Sequence, residues 1–120
     1  MELGYARTDL RRRLVDAVLR GEKTATAGLL SDYGPDEQVA EPGDRSVLLG
    51  FEDEPVGLIE ITEVRVLRAG DVDLQFARDE GEGFETVADW RDAHERFWAG
   101  REITDDTLVV AERFRLLERY

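Results

Sequence analysis

The strongest constraint on the fold lies between Val56 and Leu67, where an alternating apolar pattern changes parity part-way along. Ile59 and Ile61 share one face of a strand and Val64 and Val66 the other, because successive strand side chains point to opposite sides. The parity change predicts a bulge or sharp bend near Thr62 or Glu63. Bends of this kind close small barrels. The preceding run, Arg45 to Phe51, reads as a partner strand, and the acidic turn Glu52-Asp53-Glu54-Pro55 is short enough to make the two an antiparallel hairpin.

Around this hairpin the remaining elements follow from periodicity and stop signals. Leu10, Leu14, Ala17 and Val18 recur at helical spacing after Thr8 or Asp9, and Gly21 offers a left-handed stop, so a helix is predicted over 9–20. Small and β-branched residues from Thr24 to Leu30 indicate a strand, followed by a polar loop from Ser31 to Asp44, a lid or plain surface chain. A short helix is expected from Val72 to Ala77, capped by Asp71. Thr86-Val87-Ala88-Asp89 has the form of a capping box, and Val87, Trp90, His94 and Phe97 make one helical stripe before Gly100. The last segment, Leu108 to Leu117, alternates as a strand buried on one face would. This order gives an α+β fold, a small partly open β-barrel flanked by helices. A length of 120 residues suits a single domain, 1–120.

Charge narrows the partners. Sixteen basic residues stand against 28 acidic ones, a net charge of -12, which repels a long polyanion such as duplex DNA. The acids are concentrated between Asp71 and Asp89, whereas Arg7, Arg11, Arg12, Arg13, Arg20 and Lys23 leave the first helix comparatively basic; Arg11 to Arg13 read as a solvated helix surface. Cysteine is absent, which excludes thiolate nucleophiles, disulfides and sulfur-ligated zinc. No apolar run is long enough for a membrane span, and the N-terminus lacks a signal-peptide profile, so a cytoplasmic location is expected.

One basic residue differs from the rest. Lys23 is the only lysine, inside Gly21-Glu22-Lys23-Thr24-Ala25-Thr26, and all fifteen other cations are arginine. A guanidinium stays protonated at any working pH, but an ammonium can lose its proton when desolvated and then act as base or nucleophile. Lys23 also falls where a helix gives way to a strand, a position from which rigid scaffolds present functional groups.

Taken together, Gly21-Glu22-Lys23-Thr24-Ala25-Thr26, Pro42-Gly43-Asp44, Ile59-Glu60-Ile61-Thr62-Glu63-Val64, the run Phe76 to Gly83 and Trp90 make the chain resemble the ASCH domain, the activating-signal-cointegrator homology family. The resemblance covers nearly the whole chain and implies a single ASCH domain with a PUA-like β-barrel. It also implies one of several activities: RNA binding, ribonuclease action, or hydrolysis of acyl groups from the exocyclic amine of cytidine. In the small hydrolase branch the motif uses a lysine, a threonine three residues later and a glutamate after the short helix. These fall here on Lys23, Thr26 and Glu80, with Glu82 a competitor for the third role.

The chemistry of such a trio follows from first principles. A threonine hydroxyl attacks an amide carbonyl only if one group removes its proton and another stabilises the oxyanion. If Lys23 and Glu80 form an ion pair, Lys23 suits oxyanion stabilisation or positioning and Glu80 proton transfer; if they are apart, a neutral Lys23 is the better base. Lys23 and Thr26 would face opposite ways on a regular strand, so the helix-to-strand corner must supply the turn; a strand that began before Lys23 would leave Thr26 an ordinary half-buried strand residue. Arg20, Thr24, Tyr33, Glu82 and Trp98 are candidate substrate contacts, Trp98 being expected to be the more exposed of the two tryptophans.

Other constellations are weaker. His94, the only histidine, sits on a stripe with Trp90 and Phe97 and reads as a partly buried helix residue rather than a base or ligand. Asp79, Glu80 and Glu82 lack the rigid loop of a cation site, so no metal and no cofactor are expected. Two functions remain: a hydrolase of a nucleoside or nucleobase amide, N4-acylcytidine-like, in a cleft between the barrel mouth and the loops around 31–44 and 79–85; or a module binding a nucleotide or short single-stranded RNA, with or without ribonuclease activity.

Overall fold

The parity change is resolved by one unpaired residue. In the computed structural model, which describes residues 1–120, β3 (Pro55–Arg68) pairs with β4 (Leu108–Arg119) so that Ile61 faces Phe114 and Glu63 faces Arg113, with Thr62 left over between them. The bulge keeps Val64 on the side that Ile59 and Ile61 occupy, while Leu67 turns to the opposite side.

Four strands form one antiparallel sheet in the order β1-β4-β3-β2, with β1 spanning Ala25–Leu29 and β2 spanning Arg45–Leu49. The sheet curls into a half-barrel, and three helices complete the PUA-like α+β fold. Helix α1 (Asp9–Arg20) opens on Thr8, whose hydroxyl accepts from the Arg11 N–H at 3.1 Å, and stops at Gly21 in the left-handed conformation. Helix α2 (Leu74–Asp79) lies two residues later than the sequence suggests. Its cap is Asp73, which accepts from Phe76 N–H at 2.8 Å; Asp71 ends a short 3-10 turn and pairs with Arg68 instead. Helix α3 (Val87–Phe97) carries the expected capping box of Thr86 and Asp89.

Both faces of β4 are covered along its first half. Val109 and Ala111 join Ala25, Leu29, Phe76, Trp90 and Trp98 in one cluster, and Phe114 joins Ile59, Ile61, Leu48 and the apolar face of α1 in another. Burial on one face, as the alternation suggests, therefore does not hold: Val109, Val110 and Ala111 are all buried in succession.

Two further expectations change for packing reasons. Trp98 rather than Phe97 continues the buried stripe of α3, since the steps from Trp90 to His94 to Trp98 are each four residues, and Phe97 is exposed. Trp98 is more accessible than Trp90, but both are buried. Arg11 also leaves the solvated surface on which Arg12 and Arg13 remain: its guanidinium turns inward to the carbonyls of Leu3 (2.7 Å), Gly50 (2.9 Å) and Gly4 (3.0 Å) and to Asp53 (2.9 Å). A planar fork with five donors ties both segments, 3–4 and 50–53, to the helix at once.

Candidate functional site

The end of α1 creates the site. Gly21 turns the chain, the N–H groups of Glu22 and Lys23 both donate to the Ala17 carbonyl at 2.9 and 3.1 Å, and β1 does not begin until Ala25. Lys23 thus sits on the corner rather than on the strand, which removes the parity conflict with Thr26. The neighbouring wall is the loop after α2. Gly81, at φ 70°, lies so close that a Cβ there would stand 2.6 Å from the Glu22 carbonyl oxygen and 2.7 Å from Lys23 Cα. Only glycine lets that loop press Glu80 and Glu82 against the corner.

Lys23 is 2 % exposed and Glu80 1 %. The ammonium donates to the Ala25 carbonyl at 2.8 Å and the Glu80 carbonyl at 3.1 Å, and its Nζ stands 3.7 Å from Glu80 Oε1. The Glu80 carboxylate also accepts from Trp90 Nε1–H, and its Oε1 lies 3.3 Å from His94 Nε2. His94 stacks on Trp90 with 4.2 Å between ring centroids, and its Nδ1 is 2.8 Å from the Trp90 carbonyl. A lysine, a glutamate and a histidine are therefore buried as one network, an arrangement that is costly to desolvate unless every hydrogen bond is made.

Burial pushes the Lys23 ammonium below its ordinary pKa, against the opposing charges of Glu80 and Glu82. For His94 burial pulls downward, but the hydrogen bond to Glu80, its charge and the Trp90 carbonyl outweigh it, and the net shift is upward. Glu82 is exposed as a residue, yet its carboxyl leans into the wall, and the resulting desolvation raises its pKa despite nearby Lys23.

These groups border a cleft of about 1000 Å³ between α1, the start of β1, the loop after α2 and the C-terminal half of α3. Lys23, Thr26, Glu80, Glu82, Arg20 and Trp98 all line it. Thr26 is half-buried. Two candidate contacts are elsewhere: Thr24 reaches the Asp79 carbonyl from its hydroxyl at 3.5 Å, and neither it nor Tyr33 borders the cleft. The polar loop contributes Asp32 alone to the lining, so the cleft is closed by the N-terminal segment and α3 rather than by 33–44. Asp79 is also diverted, to Arg113 at 2.5 Å.

His94 is the residue that sequence reasoning undervalued. A signal existed in its spacing, one helical turn after Trp90, but nothing in the chain order shows that Glu80 comes to meet it. Glu80, Glu82 and His94 have ligand atoms within 4.8 Å of one another, close enough for a cation. The Lys23 ammonium beside Glu80 already supplies the positive charge such an ion would bring.

A family model for the ASCH domain matches residues 3–118. The chain belongs to this family. An RNA-binding role has been suggested for ASCH domains, which share the PUA-like fold. Among solved structures, the ASCH domain from Lactobacillus crispatus JV V101 is similar at 32 % identity and TM-score 0.79, over 89 % of this chain and 72 % of that one. A protein from Enterococcus faecalis V583 is similar at 27 % identity and TM-score 0.89, over 99 % of this chain and 76 % of the other. No curated protein matches the chain at a significant level. No helix of this ASCH domain is long and apolar enough to cross a membrane.

Proposed function

We propose that this ASCH domain is an amidohydrolase acting on an acylated nucleobase amine of the N4-acylcytidine type. The observation that carries the reading is that Lys23, Thr26 and Glu80, from a corner, a strand and a loop, border one cleft large enough to admit a nucleoside. In this reading Thr26 attacks the acyl carbonyl, its proton passing to the Glu80 carboxylate. Collapse of the tetrahedral intermediate returns that proton to the departing exocyclic amine, and water then releases the acyl group from the threonine ester. Burial lowers the Lys23 pKa, but the amine is paired with Glu80 and donates to two carbonyls, which favours an ammonium that orients the carboxylate over a neutral base.

Turnover of N4-acetylcytidine by the purified protein tests this. Thr26→Ala is expected to abolish product, and Glu80→Gln to lower kcat by about 100- to 10,000-fold. Full activity in Thr26→Ala would remove the covalent route.

A second reading, a nucleotide or short single-stranded RNA module without chemistry, draws support from charge. Five basic and five acidic side chains line the cleft, so in a chain of net charge -12 this is a surface where an anion meets no net repulsion. Salt-sensitive binding lost in Lys23→Ala, with no product from any nucleoside, would favour it.

A further inference from the structure

We infer that His94 is a positioning residue for Glu80: as an imidazolium it donates through Nε2 to Glu80 Oε1 and fixes the carboxylate toward the cleft. The geometry carries this. Both ring nitrogens face oxygen acceptors, Nδ1 the Trp90 carbonyl at 2.8 Å and Nε2 the Glu80 carboxylate at 3.3 Å. A backbone carbonyl can only accept, so Nδ1 carries a proton. A neutral ring would then turn the Nε2 lone pair against Oε1, so one more proton lies between the two residues. That proton belongs on the histidine, because the carboxylate form of Glu80 is stabilised by Trp90 Nε1–H and by the Lys23 ammonium.

The surroundings agree. The ionisable groups facing His94 are Glu80, Glu82 and, across Glu80, Lys23; its other neighbours are the rings of Trp90, Trp98 and Phe84. Stacking on Trp90 at 24° places the charged ring against an aromatic face, a favourable contact for a cation. The ring cannot swing away without losing that stack. His94 thus acts through Glu80, and its value to catalysis rests on the hydrolase reading, but its charge state does not.

The chain has a single histidine, so its ring signals need no assignment. A pH titration of the ring by NMR is expected to give an apparent pKa above the ordinary value of about 6.5, with both nitrogens protonated at neutral pH, falling below it in Glu80→Gln. A neutral ring at pH 6, or a titration that Glu80→Gln leaves unmoved, overturns the inference even if the enzyme is active. On N4-acetylcytidine, His94→Gln should keep KM within about twofold, lower kcat on the order of 10- to 100-fold, and remove the loss of kcat that is expected of the wild type as pH rises through the His94 titration. A pH profile identical to wild type overturns the positioning role. Absence of turnover in every variant would remove the hydrolase reading while the NMR titration still decides the charge state of His94.

Discussion

Arg11 and Lys23 are both cations at 2 % exposure, on or just beyond the same helix, and they are buried for opposite purposes. Arg11 spends its donors on three backbone carbonyls and the half-exposed Asp53, tying the N-terminal segment and the β2–β3 turn to α1. Every partner but one is a group that never titrates. Lys23 instead faces Glu80, which faces His94, so its surroundings can exchange protons and open on a cleft. A guanidinium fork suits the first task and a compact ammonium the second. Burial alone therefore does not mark function; the chemistry of the partners does.

The contrast breaks most severely if the cleft cation is removed. Lys23→Met leaves the Glu80 carboxylate buried without its ammonium, and should cost about 3–5 kcal/mol in urea unfolding. A loss under about 1 kcal/mol would mean that the network behaves as an exposed pair. Arg11→Lys is expected to cost less, about 1–3 kcal/mol, since an ammonium reaches fewer of the carbonyls that the fork satisfies. It should leave ligand binding in the cleft unchanged, as Arg11 does not line it.

The smallest effect is in pH dependence. His94 has a folded pKa raised above its unfolded value, so its stabilisation is fully present below about pH 6.5 and is lost as pH rises through the folded value. Urea midpoints of wild type minus His94→Gln should therefore narrow from pH 6 to pH 9. The difference between wild type and Arg11→Lys should stay flat over the same range. A His94 difference that widens with pH would reverse the sign and contradict a charged histidine.

Much of the framework was legible from local pattern. The bulge at Thr62 follows from a parity count over Ile59, Ile61, Val64 and Val66, and the corner before Lys23 follows from Gly21 ending an amphipathic helix. Such features rest on neighbours in sequence, where steric and hydrogen-bonding rules act directly. The short helix after Val72 was displaced because Asp71 and Asp73 are both competent caps, and packing of Phe76 and Ala77 selects between them. For the same reason periodicity could not decide between Phe97 and Trp98.

The sequence by itself determined an α+β chain with a bent strand, a glycine-ended helix and one lysine on the corner between helix and strand. Only the tertiary structure decided that Arg11 turns inward, that Thr24 and Tyr33 stay clear of the cleft, and that His94 meets Glu80. The reason is physical: the first set depends on bond geometry and side-chain alternation within a few residues. The second depends on which distant surfaces pack together, and there the cost of burying a charge is settled by partners that the chain order does not disclose.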